Sequence, residues 1–231
     1  MPTDKRDTNE AYVGYRIRVT HNGPYLVYGG VPLTKQIIVS DEAGNPVGWR
    51  QGQEYPVRDP YALCRCGHSK KPPFCDGTHA EVHFDGTETA VHGLYLEWAE
   101  KTEGPALDLR DMLVLCANAG FCTPHGGTWD LTLRSGDSQA RRMAIEQARH
   151  CPSGRLVAYE KDGAEIEPEL APSIGLVENP LTGARGPIWV RGGIVIEGED
   201  GRPYEVRNRV TLCGCGKSIH KPFCSGCHSE E

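Results

Sequence analysis

The chain is poor in aromatic residues and has no long apolar stretch. Of its 231 residues, 38% are hydrophobic and 7% are aromatic, whereas glycine contributes 28 and proline 17. It contains no window of about 18 apolar residues, which a membrane-spanning helix would require. The opening MPTDKRDTNE lacks the apolar core of a secretory signal and contains the acids that transit peptides avoid. We therefore expect a soluble, cytoplasmic protein with a small core and many turns.

Several common functional signatures are also missing. The net charge of −6 provides no positive field for phosphates, which argues against general nucleic-acid binding. The sequence contains no G-x-S-x-G nucleophile elbow, no Walker phosphate loop and no H-E-x-x-H zinc helix. The glycine pairs Gly29-Gly30 and Gly192-Gly193 are typical of turns, not of a dinucleotide-binding loop. We expect no enzymatic activity from this chain.

Cysteine, by contrast, is abundant and follows a repeated pattern. Residues 64–79 are CRCGHSKKPPFCDGTH and residues 213–228 are CGCGKSIHKPFCSGCH, so both segments contain C-x-C-x8-C-x3-H. Nine of the ten cysteines lie in patterns typical of metal ligands. Disulfide bonds are therefore not expected, and a reducing compartment fits the cysteine usage better.

The spacing predicts two pairs of ligands in each segment. Cysteines two residues apart on an extended strand point to one face, about 7 Å apart at the backbone, so Cys64 and Cys66 can chelate one ion. Cys75 and His79 are four residues apart, and such residues are neighbours on one face of a helix. Two bidentate pairs suit two sulfide-bridged irons. A mononuclear zinc site is the alternative, although its usual knuckle is C-x2-C or slightly longer, and the C-x-C spacing argues against it.

Both segments resemble the CDGSH iron-sulfur motif, in which three cysteines and one histidine hold a 2Fe-2S cluster. The first segment differs from that motif by Thr78 in place of serine. The second differs by Ser225 in place of aspartate and by Cys227 in place of serine, so it lacks an acidic side chain near the helix start. The resemblance implies one cluster on Cys64, Cys66, Cys75 and His79, and another on Cys213, Cys215, Cys224 and His228.

The repeat extends to the strands that precede each motif. Residues 23–31 (GPYLVYGGV) match residues 186–194 (GPIWVRGGI), and both copies contain a Tyr-x-Val before the first cysteine. From the first matched glycine to the first cysteine the separation is 41 residues in one copy and 27 in the other. The first copy thus has about fourteen extra residues in its strand and turn region.

The stretch between the copies has a different cysteine pattern. It contains Cys116, Cys122 and a distant Cys151-Pro152, which is the frame of a single-cluster ferredoxin with Ala119 at the second cysteine position. It resembles the divergent single-cluster ferredoxin domain that accompanies CDGSH motifs in some bacterial proteins. Three thiolates suit a 3Fe-4S cluster, whereas a 4Fe-4S cluster needs a fourth ligand, for which His125 is the nearest candidate. Alternatively, the three cysteines are buried structural residues.

A helix is predicted to lead into Cys151. Asp137 or Ser138 would be its N-cap, the residues Ala140, Ala144 and Ala148 would form one stripe, and Pro152 would end it. The leftover Cys227 is either an alternative ligand, a redox-active thiol or a simple replacement for serine.

Together these features predict an α+β fold of three parts: CDGSH module 1 at 11–82, a ferredoxin-like cluster domain at 105–160 and CDGSH module 2 at 183–231. The resemblance implies that the two modules form an intramolecular pseudo-dimer in a monomeric chain. The expected function is electron transfer, or storage and transfer of iron-sulfur clusters, with a redox partner or an apo-acceptor protein and without a membrane. The competing hypothesis is a zinc-stabilised interaction module without redox function.

Overall fold

The structure, a computed structural model, describes residues 14–183 and 185–230. Residues 11–13, 184 and 231 of the predicted outer modules lie outside the described residues, as does the opening decapeptide. Among the helices of the described ranges, none combines the length and the apolar composition needed to cross a bilayer.

Within these ranges the chain forms thirteen strands and four α-helices, so the fold is α+β and rich in strands, as predicted. The first strands are β1 Arg16–Val19, β2 Tyr25–Tyr28, β3 Leu33–Ser40, β4 Pro46–Tyr55, β5 Tyr61–Leu63, β6 Glu100–Glu103 and β7 Asp108–Asp111. The later strands are β8 Leu156–Tyr159, β9 Glu165–Ile166, β10 Ser173–Glu178, β11 Arg185–Arg191, β12 Val195–Glu197 and β13 Arg209–Leu212. The helices are α1 Thr78–Glu81, α2 Tyr95–Trp98, α3 Thr128–Leu133 and α4 Ser138–His150, and 3₁₀ turns cover Leu113–Leu115, Pro124–Gly126 and Cys227–Glu230.

Two sheets combine strands from residues 16–63 and from residues 173–212, which precede the two cysteine motifs and form with them the first and second outer segments. Their strand orders are β12-β1-β2-β5 and β13-β11-β10-β3-β4. The series β1, β2, β5 of the first segment and β10, β11, β13 of the second have the same order and the same antiparallel pairing. Each series is completed by a parallel strand of the other segment, because β12 lies beside β1 and β3 lies beside β10. The two segments thus exchange one strand.

The extra residues of the first segment form an antiparallel hairpin of β3 and β4. Its counterpart in the second segment is the three-residue strand β12. Strand β4 is the edge of the second sheet, and its Trp49 packs between Phe121 and Trp189. The insertion therefore reaches from the outer segments to the middle of the chain.

One hydrophobic core joins the two outer segments. Strand β1 alternates between exposed and buried residues, and Ile17 and Val19 are fully buried. They share one cluster with Val190 of β11 and Leu212 of β13. A period of two along these strands directs the apolar side chains to one face. The two segments therefore share this core.

The middle of the chain folds on a third sheet of order β6-β7-β8-β9. Helices α3 and α4 pack on it around a separate core that includes Leu109, Leu131 and Leu156. Asp137 caps α4 by accepting hydrogen bonds from the amides of Gln139 and Ala140, and the stripe Ala140, Ala144 and Ala148 is buried. Helix α4 ends at His150, two residues before Pro152. The helix predicted from the sequence is therefore confirmed.

Candidate metal centres

The two outer motifs have the same backbone frame. The amide of each first cysteine donates to a proline carbonyl at 2.8 Å, from Cys64 to Pro73 and from Cys213 to Pro222. The serine that both motifs share caps the same turn, because Ser69 Oγ donates to Phe74 O and Ser218 Oγ donates to Phe223 O, each at 2.6 Å. The shared Ser and Pro-Phe-Cys residues thus hold the ligand loops in one conformation.

The cysteines of each C-x-C lie side by side. They follow strands β5 and β13 in a turn, not on a strand as the spacing predicts, because the chain turns at glycines with positive φ, Gly67 and Gly216. The Sγ atoms are 3.7 Å apart for Cys64 and Cys66 and 3.8 Å apart for Cys213 and Cys215. Two thiolates at about 2.3 Å from one tetrahedral ion are about 3.8 Å apart. In each pair, the two Sγ atoms are therefore spaced so that both can bind one metal ion.

The second half of the first site is also paired. Cys75 Sγ lies 3.3 Å from His79 Nδ1, close to the separation of about 3.6 Å expected for one sulfur and one nitrogen on a shared ion. The prediction that one helix carries both residues is wrong, because α1 begins only at Thr78. Gly77 at φ 92 turns the chain before the helix, and the two side chains meet across that turn.

The acidic residue of the first motif has a structural role. Asp76 accepts hydrogen bonds from the amides of Lys70 and Thr78. The hydrogen bond from the Thr78 side chain, together with these two backbone bonds, lowers the pKa of Asp76 to about 2. In the second motif Ser225 Oγ accepts from the amide of Ile219 at 3.3 Å. Serine therefore replaces one of the two backbone contacts that aspartate makes.

Without metal, the paired thiols resist ionisation. Burial is the main cause that raises the pKa of Cys66, of Cys75 and, to about 12, of Cys224. Cys213 is the exception, since the hydrogen bond from Cys215 lowers its pKa. A metal must displace protons from most of these thiols, so loading of the sites releases protons.

Arg65 adds a positive charge to the first site. Its side chain is 1% exposed, and its guanidinium donates to the carbonyls of Thr20 and Gly86. Among the described residues no carboxylate forms an ion pair with it, and its Nε has no hydrogen-bond partner. A buried cation without a counterion is costly. Arg65 lies between Cys64 and Cys66 in the sequence, whereas the second motif has Gly214 at this position.

The turns of the two outer motifs touch each other. A Cβ on Gly67 would lie 2.7 Å from the carbonyl oxygen of Cys215, and a Cβ on Gly216 would lie 2.7 Å from that of Cys66. Only glycine fits such a close approach of two backbones. The reciprocal contact brings the two ligand turns to one place.

The three middle cysteines meet around one cavity. Cys116, Cys122 and Cys151 line it together with Ala119, Pro152 and Arg155. Burial and the neighbouring charges of Cys151 and Cys116 raise the pKa of Cys122 to about 11. His125, the predicted candidate for a fourth ligand, instead lines a neighbouring depression with Asp41 and His150. The cavity therefore presents three thiols.

An ion pair supports this cavity. Arg155 donates to both carboxylate oxygens of Asp111, at 2.6 and 2.8 Å, and Trp129 Nε1 donates to Asp111 as well. Burial alone would lower the pKa of Arg155, but its bonds to Asp111 and to the Cys116 thiol raise it. The guanidinium thus stays charged beside the sulfur that a cluster would use.

The middle loop contacts the second outer site. His228 Nε2 lies 3.1 Å from the carbonyl oxygen of Ala117, and Asn118 donates to the carbonyl of Gly226 at 3.3 Å. A carbonyl only accepts, so Nε2 carries the proton in this contact. No local sequence pattern indicates this contact, because it joins residues 111 positions apart.

Arg209 is a further residue that sequence reasoning missed. Its side chain is 1% exposed, forms an ion pair with Glu167 and donates to the carbonyls of Ala148, Arg149 and Cys151 at the end of α4. An arginine on β13, four residues before Cys213, thus fastens the second outer segment to the middle domain. A charged residue inside an apolar strand was the available signal.

Ligand side chains come together in pairs. Among the described residues, no three Cys, His, Asp or Glu side chains converge closely enough to hold one ion. The pairs are Cys64 with Cys66, Cys75 with His79, and Cys213 with Cys215. Two pairs in one motif suit a two-iron centre, in which each iron takes one pair. The leftover Cys227 Sγ lies 3.2 Å from Ser225 Oγ.

Family models describe the same regions. The model described as "Iron-binding zinc finger CDGSH type" matches residues 22–80 and 185–229. The model described as "Divergent 4Fe-4S mono-cluster" matches residues 102–161, between the two. Comparisons with curated proteins and with solved structures gave no significant match. The resemblance predicted from the sequence is confirmed: two regions match the CDGSH-type model, and the region between them matches the divergent 4Fe-4S mono-cluster model.

Proposed function

We propose that this protein is a three-cluster iron-sulfur carrier. In this proposal Cys64, Cys66, Cys75 and His79 hold one 2Fe-2S cluster, and Cys213, Cys215, Cys224 and His228 hold another. Cys116, Cys122 and Cys151 hold the central cluster. The observation that carries the proposal is the pairing of ligands, with Sγ atoms 3.7 and 3.8 Å apart in the two C-x-C turns.

The chain contributes binding, charge and orientation to these centres. When bound, iron-sulfur clusters supply one-electron redox chemistry. Arg65 offsets negative charge at the first site, and the carbonyl of Ala117 orients His228 at the second. At the central site the pair of Arg155 and Asp111 keeps a cation beside Cys116.

We propose further that the outer segments form a pseudo-dimer within one chain. The exchanged strands β3 and β12 and the reciprocal glycine contacts support an approximate two-fold relation between them. A monomer would then contain the pair of clusters that separate chains would otherwise assemble. The proposed role is to carry electrons, or to store and deliver clusters, for a redox partner or an apo-acceptor protein in the cytoplasm, without enzymatic turnover.

For the central site we propose a 3Fe-4S cluster, with 4Fe-4S as the alternative that the family description favours. Support for three irons comes from Ala119, which lines the cavity at the place of a fourth cysteine. A cubane held by three thiolates can lose the iron that has no thiolate ligand, which leaves 3Fe-4S.

Anaerobic purification tests the proposal. The protein should be brown, contain about seven or eight irons per chain and negligible zinc, and lose visible absorption on reduction with dithionite. An oxidised 3Fe-4S centre should give a paramagnetic signal, and Ala119→Cys should convert it to 4Fe-4S.

Two matched variants check the ligand assignment. Cys224→Ser should remove the second outer cluster, whereas Cys227→Ser should leave the iron content unchanged. A colourless protein that contains zinc would show that the chain is a zinc-stabilised interaction module instead.

A further inference from the structure

The hairpin of β3 and β4 distinguishes the first outer segment from the second, where the three-residue strand β12 stands in the same place. Strand β4 is the edge of its sheet, and every one of its residues is at least partly exposed. Its Trp49 nevertheless packs inward, against the middle domain and against β11. The extra residues of the first segment therefore have a specific contact partner in the middle of the chain.

Trp49 contacts both loops that lead into central cysteines. Its ring centroid lies 4.9 Å from that of Phe121, and its Nε1 donates a hydrogen bond of 3.1 Å to the carbonyl oxygen of His150. Phe121 directly precedes Cys122, and His150 directly precedes Cys151. One side chain thus connects two of the three central cysteines, each through the residue before it.

The same two loops touch each other beside Trp49. The ring centroids of Phe121 and His150 are 5.2 Å apart. Phe121 is 3% exposed and is part of the wall of the central cavity. Aromatic rings at such distances attract each other beyond the area that they bury. Trp49, Phe121 and His150 therefore form a closed triangle of contacts next to the central cysteines.

Trp49 is itself anchored on the second sheet. Its ring centroid lies 4.7 Å from that of Trp189 of β11, which is 4% exposed. Trp189 shares a small hydrophobic cluster with Ile38 of β3, Val177 of β10 and Phe121. Because three strands of one sheet contribute to this cluster, the sheet fixes the position of the triangle.

The tip of the hairpin packs less closely than Trp49 does. A depression of about 120 Å³ has Asp41 and Asn45 of the tip on one side and Met143 and Glu146 of α4 on the other. This space has room for several water molecules, each of which occupies about 30 Å³ in the liquid. Trp49 is therefore the close contact between the hairpin and the end of α4.

We propose that Trp49 is a positioning residue of the central site and that the β3–β4 hairpin thereby controls how long the central cluster is retained. The inference rests on the proposed cluster at Cys116, Cys122 and Cys151. While Trp49 is in place, it holds the loops of Cys122 and Cys151 at a fixed separation. Removal of Trp49 frees both loops at once, so two of the three thiols lose their common support.

A chelator challenge of the iron-loaded protein tests this role. The central cluster is followed by the paramagnetic signal of the oxidised protein, and the outer clusters by the signal of the reduced protein. Trp49→Ala removes the hydrogen bond and both ring contacts, so the central signal should decay about a hundredfold faster while the outer signals keep the parent rate. Trp49→Phe keeps a ring and removes only the N–H donor, so it should accelerate decay about fivefold.

Trp98→Ala is the matched control, because Trp98 is 59% exposed on α2. Its loss should leave the decay of the central signal at the parent rate. An equal effect of Trp98→Ala and Trp49→Ala would overturn the proposal. So would equal acceleration of central and outer losses in both Trp49→Ala and Trp49→Phe, because Trp49 would then support only the overall stability of the protein.

Hydrogen exchange of the same proteins provides a readout that does not depend on a central cluster. The amides of Thr123 and Gly154 donate within the two loops, to Gly120 and Cys151. In Trp49→Ala both amides should exchange faster together. Parent-like exchange at either amide would show that Trp49 does not hold both loops. A parent protein without a central signal would contradict the proposed cluster, and the exchange rates would still decide the role of Trp49.

Discussion

At the scale of single residues, the two outer motifs differ most at the position between their C-x-C cysteines. The first motif has the buried Arg65 there and the second has Gly214. The Arg65 guanidinium lies 5.5 Å from the ring of Tyr25, whose hydroxyl is 3.0 Å from the carbonyl of Cys213. This cation is thus buried within the first C-x-C turn and lies beside Tyr25, which contacts the backbone of the second ligand turn.

We expect Arg65→Met to lower the reduction potential of the first outer cluster. A nearby cation stabilises the reduced cluster. If its removal weakens the preference for the reduced form tenfold, the reduction potential falls by about 60 mV for a one-electron couple. The measurement is a redox titration followed by visible absorption in a Cys224→Ser background, where the second outer cluster is absent.

Lys70→Met is the matched control for Arg65→Met. It removes a cation of the same motif, but this side chain is 75% exposed and is paired with Glu81. Water and salt screen such a charge, so its removal should change the potential little. Equal shifts in both variants would show that burial of Arg65 does not determine the potential.

Residue types and spacing were sufficient to predict the ligand sets but not their surroundings. The cysteines and histidines carry their chemistry in the sequence, and the repeated spacing selects them. Arg65, Arg209 and the Ala117 carbonyl act through contacts between residues 21 or more positions apart, and no local pattern encodes these. The predicted continuous helix from Cys75 to His79 was wrong because Gly77 interrupts it.

At the scale of secondary-structure elements, α4 is held at both ends by charged side chains. Asp137 caps its first turn, and Arg209 donates to carbonyls of its last turn. Glu167 accepts from Arg209 at 2.7 and 2.8 Å and also from Asn208. Because Cys151 directly follows α4, this network fixes the position of a central thiol.

Glu167 should make the stability of α4 dependent on pH. Burial would raise the pKa of Glu167, but the bonds and charge of Arg209 outweigh it and lower the pKa from 4.5. A lowered folded-state pKa contributes stability above the unfolded value, and this stability is lost as the pH falls through the folded value. Glu167→Gln should therefore destabilise α4 at pH 7 by about 3 kcal/mol, because it leaves Arg209 buried without its partner.

Hydrogen exchange of the α4 amides measures this effect. The difference between the parent protein and Glu167→Gln should be large at pH 7 and should shrink below about pH 4.5, where the parent also loses the carboxylate charge. Glu160→Gln is the control, since Glu160 pairs with Arg141 on the same helix but is 41% exposed. Glu160→Gln should change the free energy of opening of the α4 amides by less than about 1 kcal/mol. A constant difference between parent and Glu167→Gln across the pH range would contradict the linkage.

At the scale of the whole molecule, the repeat in the sequence predicts two similar segments, and the structure adds how they combine. Matched strands such as residues 23–31 and 186–194 become equivalent strands of the two sheets. The exchange of β3 and β12 could not be predicted, because strands paired within a segment or between segments show the same alternation. The extra residues of the first segment are predicted from the sequence. Among them, Trp49 packs against Phe121 of the middle domain.

The three sites are arranged unequally. The first and second outer turns meet at Gly67 and Gly216. The middle loop meets the second outer site through Ala117 with His228 and through Asn118 with Gly226. The second outer site thus contacts both the first outer site and the middle loop.

Loss of the central cluster should therefore affect the second outer cluster more than the first. Cys116→Ala removes a proposed central ligand on the loop that holds the Ala117 carbonyl. Once this loop is released, His228 loses the partner that fixes its tautomer and ring orientation. Loss of such a partner typically costs about 10- to 100-fold in metal affinity, so the second cluster should decay about tenfold faster in the presence of a chelator.

Two backgrounds separate the outer clusters in this experiment. Cys75→Ser leaves only the second, and Cys224→Ser leaves only the first, so the decay of visible absorption reports one outer cluster at a time. Cys151→Ala is the companion to Cys116→Ala, because it also removes a central ligand but lies outside the loop that contacts His228. If Cys116→Ala accelerates decay of the second cluster and Cys151→Ala does so less, the loop contact itself stabilises that cluster. Equal acceleration of the first and second clusters by Cys116→Ala would mean that the contact between Ala117 and His228 does not couple the central and second sites.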